Sequence, residues 1–338
     1  MNIFGWAADD AGPGFYRLRV PFAELAQHGH TAAVDTTMPA SALEEADIIV
    51  GQRVCQHGAT ARWRRLAEGA YGRRPMLVLE LDDDLWDIEP ANRPAHAFFN
   101  LSNPQLLDNL TECARLADVC TVSTEPLAEV VRRINPNVVV LPNQLPAQAF
   151  RPAPETYEPR SGPVTIGWAG GPSHERDVGE MMSGLRRHYR HRPDDALIVL
   201  GTLFPEFKRV CQPGHLLYRP WTQDMNEHYA RLMDLNIGLA PLRPSLFNRS
   251  KSEIKFLEYA AAGAAVIASR HGPYERVIEQ GVTGLLVNSP HEWTSALNQL
   301  ATDPGMRMDL ALNGLAYART RMIEQHWQGW EKVYSGAW

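Results

Sequence analysis

Two doubly wound α/β halves, each built on a parallel sheet, are the architecture this 338-residue sequence predicts. Three observations predict it. Short apolar runs alternate with helical patterns almost from end to end. Some runs, such as "PMLVLELD" up to Leu79, are apolar without interruption, as strands buried on both faces are. The alternation breaks once, at "LPNQLPAQAFRPAPETYEPRSGP", where six prolines fall between Leu141 and Pro163, and then restarts.

The elements follow in order. "MNIFGWA" reads as a strand, "RVPFAELAQHG" as a helix stopped by Gly29, and "TAAVDT" and "ADIIVGQ" as strands. "PMLVLELD" is a strand, "NPQLLDNLTECARLA" a helix, "DVCTVST" a strand, "EPLAEVVRRI" a helix, and "NVVVLPN" closes the first set. The second set runs "VTIGWAG", "DVGEMMSGLRRHYRH", "ALIVLG", "MNEHYARLMD" and "LNIGLAPL", alternately strand and helix. "VTGLLV" is a further strand, and Ser289 starts a helix with Pro290 and Glu292 as its signals. The end of the chain, Met306 to Trp338, reads as helical and rich in aromatics. These readings place a Rossmann-like domain at 1–145, a Pro-rich linker at 146–162, a second Rossmann-like domain at 163–315 and a terminal helix at 316–338. Ligands of such sheets bind beyond the carboxyl ends of the strands, so a cleft faced by both halves is the expected site.

Bulk properties exclude several classes. Hydrophobic residues make up 44%, charged residues 21%, and the net charge is -6, which argues against a general polyanion binder. No apolar run approaches the roughly 18 residues of a membrane span. "MNIFGWAADD" does not read as a signal peptide. Cys55, Cys113, Cys120 and Cys211 form no C-x-x-C pair, which predicts neither a disulfide framework nor a zinc site and fits a reducing cytoplasm. His188 and His191 read as solvated surface rather than a metal pair.

"FNRSKSEIKFLEYAAAGAAVIAS" carries the main functional signal. Ser250-x-x-Glu253 has the form of a capping box, which makes Lys251 the first helical residue and Gly263 the stop. Lysines at a helix start oppose the helix dipole, and a solvated ion-paired face is one explanation. A bound phosphate is the other, because helix N-termini bind anions. On that reading Lys251, with Lys255 beside it, meets a diphosphate, and Glu258, one or two turns deeper, accepts the hydroxyls of a ribose.

Four segments together resemble a known family. "KSEIKFLEYAAAGAAVIASRHGPYERVIEQGVTGLLV" resembles the donor-binding segment of GT-B glycosyltransferases of the family 4 type. "VCTVSTEPLAEVV" with "VVVLPNQLPAQAFRP" is similar to their interdomain crossing, "GPGFYRLRVPFAELAQHGH" to their N-terminal glycine loop and first helix, and "IGWAGGPSHERDV" to their loop facing the donor phosphates. The resemblance implies two Rossmann-like domains facing a cleft, with the acceptor on the N-terminal domain and the donor on the C-terminal one. It implies a final helix crossing back to the N-terminal domain, and a retaining hexosyl transfer from a nucleotide-diphosphate sugar. It implies that Lys251, Arg176 and His174 serve the leaving group. Glu258, Ser250, Lys255, Gly170, Gly171, Ser173, Gly272, Pro273 and Tyr274 would line the donor, and Gly12, Gly14, Arg17, Asp82 and Asp83 the acceptor side. The family's two glutamates eight positions apart appear here as Ser250 and Glu258, and Arg276 stands at a position usually acidic.

Rival readings stay open. Asp82, Asp83 and Asp84 follow a strand and read as a metal site, as cleft lining or as a solvated turn; no essential metal or cofactor is expected. Arg62, Arg64, Arg65, Arg73 and Arg74 read as a solvated helix or as a surface for an anionic lipid, phosphorylated acceptor or nucleic acid. The expected function is a cytoplasmic glycosyltransferase of bacterial or phage-like type, either free or peripheral to a membrane. A nucleotide-sugar epimerase and a nucleic-acid-modifying (DNA base glycosylating) or nucleic-acid-binding protein are the alternatives.

Overall fold

The computed structural model describes residues 1–10, 12–90, 92–152 and 161–338. Two compact units account for them. The first comprises Met1–Pro146, Ser250–Ser252 and Met322–Trp338, and the second Ala147–Arg249 with Glu253–Arg321. Part of the expected 146–162 linker, residues 153–160, lies outside the described residues.

The first unit holds six parallel strands: β1 (Asn2–Trp6), β2 (Thr31–Asp35), β3 (Ile48–Gln52), β4 (Met76–Leu81), β5 (Val119–Val122) and β6 (Val138–Val140). Their spatial order is β2-β1-β3-β4-β5-β6, the doubly wound order in which the chain reverses direction beside β1. β3 and β5 are buried along their whole length, which is why their sequences are mostly apolar, with Gln52 and Thr121 as buried polar members. The core under this sheet takes Ile3, Phe22, Leu25, Val50 and Val78 together with Ile323, Trp330, Val333 and Tyr334 from the end of the chain. Phe22 and Tyr334 meet edge to face at 5.9 Å, and His28 stacks on Trp327 at 3.8 Å.

Six parallel strands also form the second unit: β7 (Thr165–Gly170), β8 (Ala196–Gly201), β9 (Leu216–Arg219), β10 (Ile237–Ala240), β11 (Ala265–Ser269) and β12 (Leu285–Val287), in the order β12-β11-β10-β7-β8-β9. The edge strand β9 was not legible in the sequence; Leu217 and Tyr218 stay 45% exposed, so no buried apolar run marks it. Ser289 and Glu292 make the expected capping box at the start of the helix Pro290–Thr302.

Three expectations are corrected. The chain after Met306 is not one helix. It divides into Pro304–Arg319 and Gln328–Tyr334, with Met322 extended and a 3-10 turn at Ile323–Gln325 between them, where Ile323 N donates to Leu145 O at 3.0 Å and Met322 bridges Leu145. His188 is not surface but fully buried, with its ring nitrogens 2.8 Å from Asn298 Oδ1 and 2.9 Å from Asp195 Oδ2. The third concerns the lysine helix and is described with the site.

Asp195 makes the second unit acid-sensitive. Burial works against its charge, but hydrogen bonds from His188, from Arg192 and from Val164 N outweigh it and hold the carboxyl at about 2, below its ordinary 3.8. A depressed carboxylate stabilises the fold above its unfolded pKa and loses that contribution as pH falls through the folded value. Asp195→Asn is therefore expected to lower unfolding free energy by about 2 kcal/mol at pH 7. The gap to the wild type should narrow from about pH 4 down to pH 2, as read by urea denaturation at each pH.

Candidate functional site

In the second unit, the loops after β7, β10 and β11 are tied to one another at the carboxyl ends of the strands. Asp177, in the first turn of the helix Glu175–His191, is the knot. Its Oδ2 lies 2.8 Å from His174 Nδ1, and its Oδ1 accepts from Arg243 N at 3.0 Å and Asn248 Nδ2 at 2.9 Å. Ser269 Oγ, at the end of β11, accepts from Leu242 N at 2.9 Å. Gly272 has φ +58, and a Cβ there would stand 2.8 Å from Asn248 O, so only glycine fits where this loop passes its neighbour.

A short helix, Ile254–Ala261, grips the end of β7 at both backbone groups. Tyr259 Oη accepts from Ala169 N at 2.8 Å, and Lys255 Nζ donates to Ala169 O at 3.0 Å. Lys255 stands in the first turn of this helix, where the backbone N–H groups have no intrahelical acceptor. Glu258, buried one turn further on, lies with Oε1 3.1 Å from Nε2 of His228. The unit thus brings together a cation at a helix start, a buried carboxylate and the Gly170–Gly171 loop with its His174 turn. That set can meet a diphosphate with positive charge and accept hydrogen bonds from hydroxyl groups.

The capping box predicted at Ser250 does not form. Glu253 is the N-cap, with no side-chain cap, and the helix starts at Ile254, so Lys251 lies outside it. Side chains distant in sequence hold the tripeptide before it. Thr124 Oγ1 donates to Ser250 O at 2.7 Å, Asn143 Nδ2 to Ser252 Oγ at 2.8 Å, and Lys251 Nζ to Asp83 Oδ1 at 3.0 Å, all within the first unit. Glu253, instead of reaching back to Ser250, accepts from Arg321 Nη1 at 2.6 Å. The shared helix face expected for Lys251, Lys255 and Glu258 is therefore reduced to Lys255 and Glu258.

Of the other expected donor residues, Arg176 and Ser173 are exposed, Gly171 is half-buried and Gly170 buried. Pro273 and Tyr274 are buried, and burial pushes the Tyr274 phenol well above its ordinary range. His228, Asp177, Asn248 and Tyr259 were missed. His228 lies 30 residues from Glu258 on a separate helix, and no local pattern connects them.

In the first unit, Gly14 is required by close approach, since a Cβ there would stand 2.0 Å from Asp9 O, and its N–H donates to Asp9 Oδ1 at 2.9 Å. Gly12 has φ +56. Arg17 is not presented to a ligand. It is 1% exposed, and its guanidinium is spent on Glu80 Oε1 at 2.6 Å, Glu80 Oε2 at 3.1 Å, Leu141 O at 2.5 Å and Asn143 Oδ1 at 2.9 Å. The three aspartates diverge. Asp82 Oδ1 faces Arg53 Nε at 3.6 Å, Asp83 takes Lys251, and Asp84 is buried beside Asp87, with burial first and that charge second pushing its carboxyl up to about 6. Among the described residues no group of three or more His, Cys, Asp or Glu has a metal-holding arrangement.

The five arginines of the basic patch take partners at the surface. Arg64 pairs with Glu112 at 2.7 Å, Arg73 with Asp47 at 2.9 Å and Arg74 with Asp118 at 2.7 Å. Arg65 lies over the Tyr71 ring at 4.7 Å and Arg62 over Trp6 at 6.0 Å. Three of the five are thus paired with carboxylates at the exposed surface, which supports the solvated reading. No helix among the described residues is long and apolar enough to cross a membrane.

Comparison with known proteins adds the following. Residues 165–303 match the family Glycosyl transferases group 1. A D-inositol 3-phosphate glycosyltransferase of Actinosynnema mirum is 40% identical over 65 residues, 19% of this chain and 16% of that protein. Its counterpart in Corynebacterium glutamicum is 39% identical over 66 residues, again 19% and 16%. The match thus spans only about a sixth of the length of these curated relatives. Among solved structures, Anabaena Alr3699/HepE in complex with UDP-glucose superposes with a TM-score of 0.70 at 15% identity, covering 99% of this chain and 100% of that one. Sucrose-phosphate synthase from Thermosynechococcus elongatus gives 0.68 at 13% identity, with the same coverages. The shared architecture is the GT-B fold.

Proposed function

We propose that this chain, a GT-B fold protein with a glycosyl transferases group 1 domain at residues 165–303, moves a sugar from a nucleotide-diphosphate sugar to an acceptor. The observation that carries the reading is the helix Ile254–Ala261. It sets Lys255 at its start, bonded to the end of β7, and the buried Glu258 one turn on. A nucleoside diphosphate needs that pair, a cation for the phosphates and a carboxylate for the ribose hydroxyls. Neighbours solved with UDP-glucose and with UDP support a nucleotide-sugar donor.

The transfer proceeds with retention and without a protein nucleophile. Lys255, with His174 and Arg176, stabilises the departing diphosphate electrostatically. The reading includes no obligatory metal, which the divergent surroundings of Asp82, Asp83 and Asp84 support. The acceptor binds the first unit, on the side of Gly12, Gly14, Asp82 and Asp83.

Donor kinetics test this. A thermal-shift screen of UDP, GDP and ADP and their sugars identifies the donor, and release of nucleoside diphosphate is then followed in wild type and Glu258→Ala. A lost hydrogen bond to a charged group costs roughly 1.5–3 kcal/mol, so the variant should lose about 10–150-fold in kcat/KM for the donor while keeping its melting temperature. Unchanged donor kinetics would reject the ribose role, and isomerised sugar without release would favour an epimerase. Activity lost in EDTA and restored by magnesium would reject the metal-free mechanism.

A further inference from the structure

We infer, resting on the donor reading above, that His228 is a positioning residue: its imidazole holds the Glu258 carboxylate in the orientation that receives the ribose. Glu258 Oε1 is 3.1 Å from His228 Nε2, with the two side chains 10% and 15% exposed. A carboxylate can only accept, so Nε2 carries the hydrogen.

The backbone on both sides of this bond is rigid. Leu257 and Tyr259, flanking Glu258, are fully buried. The helix Met225–Leu232, which carries His228, is capped by Asp224 Oδ1 accepting from Asn226 N at 2.9 Å and Glu227 N at 3.3 Å. Glu227 is tied in turn to Thr222 at 2.7 Å and Arg231 at 2.6 Å, and Tyr229 and Leu232 anchor the helix in the core. What the backbone leaves undetermined is the glutamate's own side-chain torsions, each with staggered alternatives. Two vicinal hydroxyls require both carboxylate oxygens in one plane and one direction. A donor fixed on Oε1 selects that direction before the ligand arrives, so less ordering remains to be done on binding.

The effect of His228 should therefore appear only with ligands that have ribose hydroxyls. Calorimetric titration of UDP and of 2′,3′-dideoxy-UDP into wild type, His228→Ala and His228→Gln forms a cycle between side chain and hydroxyls. GDP and ADP, with their dideoxy forms, are run alongside. His228→Ala is expected to weaken UDP about tenfold and leave dideoxy-UDP unchanged. His228→Gln, whose amide can also donate, should recover most of that loss. Equal weakening of both nucleotides, or of neither, would overturn the positioning role, because a merely structural change does not distinguish them. Wild type binding UDP and dideoxy-UDP equally would overturn it through Glu258. Wild type binding none of the three diphosphates would instead reject the donor reading itself.

Discussion

Glu80→Ala is expected to destabilise the first unit by about 3–5 kcal/mol, because it strands a buried guanidinium. Arg17 donates to both Glu80 oxygens, and Thr121 Oγ1 donates to the same carboxylate, all inside a core where Arg17 and Glu80 are each 1% exposed. Removing the carboxylate leaves Arg17 with Leu141 O and Asn143 Oδ1 alone and no countercharge among these contacts. The double replacement Arg17→Met with Glu80→Leu should cost far less, since well-packed apolar groups of similar size often substitute for a buried pair without loss. Urea unfolding of the single and double variants decides between them. A double variant as unstable as the single one would mean that the network contributes more than the cancellation of its own charge.

The second large effect is expected at Lys255. Its ammonium sits at the first turn of the helix Ile254–Ala261 and donates to the last buried carbonyl region of β7 at Ala169. Loss of one well-placed donor to developing charge costs on the order of 10²–10³ in kcat. Lys255→Ala should therefore fall by about that factor in single-turnover rate, with donor affinity less affected. Lys251→Ala should cost less, because Lys251 lies outside the helix and its recorded partner is Asp83. This reverses the order that the sequence suggests. The structure displaces the helix start by three residues and carries the first-turn position from Lys251 to Lys255. Equal losses in both variants would return Lys251 to the leaving group.

Much of the fold was legible because it depends on neighbours in sequence. Mostly apolar segments such as Ile48–Gln52 and Val119–Val122 are strands buried throughout, and Ser289 with Glu292 caps its own helix. The helix that carries Glu258 was legible for the same reason, lying between two buried strands. What the sequence by itself determined is thus the alternation of elements and their local punctuation, where hydrophobic period and capping act over a few residues. What only the tertiary structure decided are the partners of its polar groups. Ser250 and Ser252 are held by Thr124 and Asn143, 126 and 109 residues away, and that defeats a capping box whose local pattern was intact. Arg17 turns inward because Glu80 lies on β4 behind it, and Arg64, Arg73 and Arg74 find Glu112, Asp47 and Asp118, carboxylates 26 to 48 residues away. His228 reaches Glu258 across two helices. A buried polar group must find a partner wherever the fold supplies one, and local sequence carries no record of contacts made across the sheet.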